Sequence, residues 1–178
     1  WENNLSIDCL KYRYCLPQAG LLLEDESKRI GRCILPDSFH HKMTQAPYIF
    51  LERDFEQRVP IIREDYFASN WVLYQQEFKE LAEEKFSDFL LNSLARIKKR
   101  LGGVLYQKMH ALFILALEHL FATGQSNLFD ESIRLLLEEY YDPMYQYQLK
   151  NKQSKMIFSG SEPEVLAWVE EHLKNMKS

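Results

Sequence analysis

Apolar and polar positions along the chain follow two rhythms. At the start, Trp1, Leu5, Cys9 and Tyr12 recur at spacings of four, four and three. That lines up one face of an amphipathic helix over residues 2–16, with Pro17 and Gly20 as its stop. Gly20-Leu21-Leu22-Leu23 is then an apolar run without alternation, followed at once by Glu24, Asp25 and Glu26. Such a run suits a strand covered on both faces, as in a parallel sheet. Pro36 to Ala46 reads as a helix with its proline near the first turn, and Tyr48-Ile49-Phe50-Leu51 as a second short strand. Asp54, with Gln57 three residues on, opens a further helix; its apolar stripe is Phe55, Val59, Ile62 and Tyr66, and Pro60 should kink it. Strands each followed by a helix predict β-α units.

From Trp71 to Tyr140 the period is helical throughout. Phe78, Ala82, Phe86, Phe89, Ser93 and Ile97 form one stripe, and Gly102-Gly103 breaks the run. A second helix carries Leu105, Met109, Leu112, Ala116 and Leu120 and stops at Gly124, and a third spans Leu128 to Tyr140. Asp142-Pro143 is a turn signal. Lys155 to Phe158 reads as a late strand. Ser161 with Glu164 forms a capping box for a last helix whose inner face is Val165, Val169, Leu173 and Met176. The chain is thus α/β at both ends with a helical insertion between them.

With 178 residues, 46% of them hydrophobic, the chain suits one ordinary domain and not a disordered segment. Its net charge of −4 excludes a protein that coats nucleic acid by bulk charge, so any such contact must be local. No apolar run approaches the roughly 20 residues of a membrane span. The opening Trp-Glu-Asn-Asn has neither Met nor a secretion signal, so the chain reads as cut from a longer one. Three cysteines, Cys9, Cys15 and Cys33, with no CxxC pair, suit buried small hydrophobes in a reducing compartment, the cytoplasm.

Four segments offer chemistry. Leu21-Leu22-Leu23 ends in Glu24-Asp25-Glu26 where a parallel sheet would bind ligands, at the carboxyl ends of its strands. An acid there can hold Mg²⁺ beside a nucleotide; it serves as well as a solvated turn. Next comes Ser27-Lys28-Arg29-Ile30-Gly31-Arg32, whose cations suit a phosphate or diphosphate, or else neutralise the acids just before them. Arg96, Lys98, Lys99 and Arg100 precede Gly102-Gly103; they complement a helix dipole or track an RNA backbone. Tyr140, Tyr141, Tyr145 and Tyr147 crowd one segment, to stack on splayed bases, wall an apolar group or pack their rings inward. His40 and His41 are adjacent, and His110 and His119 lack partners, so no metal site is assigned. No Gly-x-Ser-x-Gly or GxxxxGK[ST] loop occurs.

Four stretches in order resemble the C-terminal part of the bacterial tRNA 2-selenouridine synthases. They are Glu2-Asn3-Asn4-Leu5 with Ile7-Asp8; LEDESKRIGR at residues 23–32 with Leu35-Pro36; RLGG at residues 100–103; and LLLEEYYDPMYQYQL at residues 135–149, the most specific. The resemblance runs from about residue 2 to about residue 168. It implies a partial P-loop-type parallel sheet, from residues 1–66 and 152–178, with a mostly helical insertion at residues 67–151 ending in a tyrosine-rich turn. Members carry a rhodanese-like domain with a catalytic Cys and a P-loop; neither motif lies in this chain, and none of Cys9, Cys15 and Cys33 matches that nucleophile. The resemblance implies conversion of wobble 2-thiouridine to 2-selenouridine through a geranylated intermediate, with selenophosphate and geranyl diphosphate as co-substrates and no tightly bound cofactor. Asp25, Glu26, Arg29, Arg32, Arg58 and Arg63 would face or hold phosphate groups. Arg96, Lys99, Arg100, Tyr141, Asp142 and Tyr145 would contact tRNA or a geranyl chain. The expected partners are tRNA and the rhodanese and P-loop part of the same protein. The chain alone is expected to be inactive. The competing readings are a non-catalytic tRNA-docking module and a kinase-like phosphate-binding fragment.

Overall fold

The computed structural model describes residues 2–15, 21–25 and 27–175. Among them the chain is mostly helical with two small sheets, and it forms two compact units, residues 1–52 with 152–178, and residues 53–151.

The first unit opens with α1 (Glu2–Cys15). Leu5, Cys9 and Tyr12 are half-buried while Ile7, Leu10 and Tyr14 are exposed, so the four-and-three spacing marks the covered face. Trp1, Pro17 and Gly20 lie outside the described residues, as does Glu26. The strand expected over residues 20–23 does not form at Leu21–Leu23. These residues have no ladder partner and stand exposed, Leu22 at 67%. A four-residue apolar run becomes a strand only where another strand offers its backbone, and among the described residues none does. The next residues instead make a hairpin, β1 (Arg29–Ile30) and β2 (Cys33–Ile34), paired antiparallel. Gly31 turns it at φ +58, in the first position of a two-residue loop, where such hairpins demand positive φ.

Helix α2 (Asp37–Gln45) starts directly after Pro36, as the proline signal predicts. Strand β3 (Tyr48–Leu51) forms as expected, and the late strand is β4 (Met156–Gly160). They pair with each other in parallel, Leu51 opposite Gly160, with an irregularity between Tyr48 and Ile49. The backbone N–H of Glu52 extends the ladder to the Gly160 carbonyl at 2.8 Å. Helix α9 (Glu162–Asn175) follows; Glu164 accepts from the Ser161 N–H at 2.8 Å and from its hydroxyl at 2.6 Å. The anticipated cap therefore forms. Val165, Trp168 and Val169 are half-buried, with Phe158 stacked on Trp168; the side chain of Leu173 and all of Met176 lie outside the described residues.

The second unit holds the apolar core. Its helices are α3 (Phe55–Arg63), α4 (Ser69–Phe78), α5 (Ala82–Leu101), α6 (Gly103–Thr123), α7 (Phe129–Leu136) and α8 (Asp142–Lys152), whose last residue belongs to the first unit. Phe86, Met109, Leu120, Phe129 and Ile133 are almost fully buried, and Phe67 stacks on Phe129 with centroids 4.1 Å apart. In the first unit, among the described residues, Leu35 is the buried large side chain.

Several expectations change here. Helix α3 lies with the helical unit, so the division falls after Glu52 and not after Tyr66. It runs through Pro60 and passes into a π turn, Glu64–Ala68, where the Ser69 N–H bonds to the Glu64 carbonyl five residues back. The extra residue moves the buried face on by one. Phe67 enters the core and Tyr66, expected inside, is exposed. A three-residue 3₁₀ turn, Lys79–Leu81, interrupts the run expected to continue to Leu101. Lys79 takes φ +50, a strained value for a non-glycine residue, and neither Gly nor Pro announced the break. Helix α5 buries Ala82, Phe86, Leu90 and Leu94; Phe89 and Ser93, expected on that face, lie beside it. Asp142-Pro143 is not a turn. A second π turn, Leu137–Tyr141, joins α7 to α8, and the tyrosine-rich segment is helical. The Asp142 N–H reaches back to Leu137, just before Pro143, which has no N–H to donate.

Candidate functional site

The two π turns gather tyrosines. Tyr140 and Tyr141 lie in the second, with ring centroids 4.8 Å apart and edge to face; Tyr145, one turn on, lies parallel to Tyr141 at 6.3 Å. Burial first, then Tyr140, Tyr145 and Tyr66, raises the Tyr141 hydroxyl above its ordinary pKa. Tyr66, from the first π turn, thus bears electrostatically on Tyr141. Sequence reading missed it because a four-residue period places it in the core. The five-residue step from Ile62 to Phe67 was the available signal. Tyr145 and Tyr147 present exposed rings.

The basic end of α5 reaches this cluster. Arg100 donates to the Tyr140 hydroxyl at 3.0 Å, a bond that raises the arginine's pKa further. Lys98 lies over the Tyr106 ring at 4.7 Å, a cation–π contact. Arg96, Lys99 and Arg100 are exposed. Two of the segments singled out from sequence therefore meet within the second unit through Arg100 and Tyr140, which are 40 positions apart.

The expected phosphate ligands do not gather in this way. Arg58 gives a two-pronged pair of hydrogen bonds to Asp142, both 2.7 Å, and its fork is taken up by that carboxylate. Arg63 bonds both oxygens of Asp130 at 2.9 and 2.7 Å, and Arg134 holds Glu56. These three pairs tie α3 to the segment from α7 to the start of α8. Asp142, expected to contact RNA or a geranyl chain, is the partner of Arg58.

In the first unit, Arg29 on β1 and Arg32 in the hairpin turn are exposed, and no carboxylate pairs with either among the described residues. Among the described residues, Asp25 pairs with Lys152, and Lys28 with Asp37, whose carboxyl is held below the usual range by that bond. Glu26 lies outside the described residues. Among the described residues, no cluster of His, Cys, Asp or Glu is arranged to hold a metal ion, and no helix is long and apolar enough to cross a membrane.

Residues 1–176 match the family model of the tRNA 2-selenouridine synthase AAA domain. Among similar proteins, one from Marinobacter nauticus called tRNA 2-selenouridine synthase is 39% identical over 171 residues, covering 94% of this chain and 46% of that relative. One of the same name from Pseudomonas paraeruginosa is 40% identical over 174 residues, covering 95% and 46%. The chain spans about half the length of the curated relatives it matches. No solved structure matches. A match across almost every residue, including the tyrosine segment and the basic helix end it touches, places this chain in the tRNA 2-selenouridine synthase family, over its AAA domain.

Proposed function

We propose that the chain is the C-terminal part of a transferase that converts the wobble 2-thiouridine of tRNA to 2-selenouridine. On this reading the sulfur attacks geranyl diphosphate and diphosphate leaves. The selenium of selenophosphate then attacks C2 and geranylthiolate leaves; water cleaves the Se–P bond and phosphate is released. The rhodanese and P-loop parts of the same protein supply the catalytic Cys and the phosphate cradle, and the β3–β4 pair belongs to a larger P-loop-like sheet. A two-stranded parallel pair is marginal alone, and parallel sheets are normally covered on both faces. Arg29 and Arg32 offer guanidinium forks for the phosphate groups of the co-substrates. The helical unit docks tRNA.

The observation that carries this reading is the contact between Arg100 and Tyr140. A basic helix end and an aromatic ridge in one surface combine phosphate tracking with base stacking, the two elements of single-strand RNA binding. Charge reversal at Arg96, Lys99 and Arg100 in the intact protein tests it. We expect tRNA affinity to fall and the dependence of log affinity on log salt to flatten by roughly 0.7 per lost single-strand phosphate contact. Unchanged affinity and slope would remove the helical unit from tRNA binding. Selenium incorporation into thiolated tRNA separates the catalytic reading from a docking module. We expect none from the 178-residue chain alone and turnover from the intact protein.

A further inference from the structure

Arg58 directs its guanidinium fork at Asp142, which directly follows Tyr140 and Tyr141 in the chain. Asp142 is the first residue after the second π turn, next to Tyr140 and Tyr141 and one helical turn before Tyr145. Its side chain is 23% exposed and that of Arg58 is 29%. The Arg58 ring neighbour is Phe55, at 5.4 Å, and its Nε is buried without a partner, so the guanidinium is anchored in the packing of α3. The pair lies at the point where the helix changes register. A π turn is rare and occurs mostly as a single bulge inside an α-helix, so the contacts around it bear on where the one-residue shift falls. Regularising it would rotate Tyr145 relative to Tyr141 and draw Tyr140 from Arg100.

We propose that the Arg58–Asp142 pair is a positioning element for the aromatic ridge: it locks the shifted register after the second π turn, and so sets how tightly RNA bases stack on Tyr141 and Tyr145, without touching RNA or phosphate itself. The inference rests on the reading that tRNA docks on this unit. It removes Arg58 from the phosphate ligands and gives Asp142 its role through Arg58.

The test is made in the intact protein with thiolated tRNA and, separately, with selenophosphate. Arg58→Gln and Asp142→Asn should each weaken tRNA binding about tenfold, the loss of one stacked base. The salt slope and the selenophosphate KM should stay unchanged. Arg58→Lys, which keeps the charge but not the paired fork, should fall between, and the exchange of the two residues, Arg58→Asp with Asp142→Arg, should recover most of the affinity. In Asp142→Asn the Tyr141 hydroxyl should titrate at lower pH, read as tyrosinate absorbance, because its burial depends on the locked register. Glu56→Gln, which cuts an exposed pair between the same helices, should leave tRNA binding unchanged; an equal loss there would reduce the Arg58 pair to general scaffolding and overturn the proposal. A raised selenophosphate KM or a flatter salt slope in Arg58→Gln but not in Asp142→Asn would make Arg58 an anion ligand and overturn it as well. If Arg100→Glu and Tyr145→Ala weaken tRNA binding while both pair variants do not, the proposal fails and the docking surface stands. If none of the four changes binding, the docking surface fails and the proposal with it.

Discussion

Arg58 and Asp142 are separated by 84 positions, yet their fork-to-carboxylate bonds are both 2.7 Å. Both groups are charged, and a charge-assisted bond is worth about 1.5–3 kcal/mol, tempered where water screens it. Asp142→Ala should therefore lower the unfolding free energy by about 1–2 kcal/mol, measured by urea titration. A loss below about 0.5 kcal/mol would mean that solvent already screens the pair. In the core, Phe86 and Phe129 are completely buried, and truncating either to Ala should cost about 3–5 kcal/mol. Glu164 titrates below its ordinary value because the Ser161 hydroxyl and N–H both bond the carboxylate. Its contribution to α9 is present above the ordinary glutamate range and is lost as pH falls through the depressed value. Ser161→Ala should remove part of that acid dependence, seen as a smaller loss of α9 amide protection on acidification. The Ser161–Glu164 cap was legible in sequence because it is a local bond. The Arg58 and Arg63 partners were not, because nothing in a linear reading says which carboxylate a helix will lie against.

At the level of elements, strands β3 and β4 and the starts of α2 and α9 follow their local signals. Near Tyr66 and the tyrosine segment, the helical ladder departs from a single period. The two π turns each insert a residue, so the stripe Phe55, Val59, Ile62 continues through Phe67 and leaves Tyr66 outside. Deleting Tyr66 would restore a four-residue step from Ile62 to the former Phe67. We expect this variant to keep its fold, with a helical circular-dichroism spectrum and a thermal midpoint within about 8 °C of the parent, a stability change of about 1 kcal/mol or two for a chain of this size. Its tRNA binding should weaken, because the first π turn no longer presents a tyrosine. Collapse of the fold would show that the π turn is required for packing. The break at Lys79 was illegible for another reason. A non-glycine at φ +50 is unfavourable locally and persists only because α4 and α5 pack on either side of it.

Across the whole molecule, stability is distributed unevenly. The continuous buried cluster from Val59 to Leu137 lies in residues 53–151, whereas Leu21, Leu22, Leu23, Ile30, Ile34 and Ile157 in the other unit are exposed. Local opening is cheap where few apolar contacts are lost. Hydrogen exchange in the 178-residue chain should show slow amides along α5, α6 and α7 and fast ones in α1 and the β1–β2 hairpin. Equal protection in the two units would contradict this. Addition of the remaining protein should slow exchange at β3 and β4 if the proposed larger sheet forms over them.

Residue order alone suffices for the helical middle, the two strands at Tyr48 and Met156, the cap at Ser161 and, through the motifs, the family. Each of these is written in near neighbours or in a period that a few residues suffice to set. It took the folded chain to show that β3 pairs with β4, that Leu21–Leu23 makes no strand among the described residues, and that Arg58 meets Asp142 while Arg100 meets Tyr140. The reason is physical: a ladder or an ion pair needs a partner across space, and register shifts of a single residue, which no local preference signals, choose which side chain arrives there.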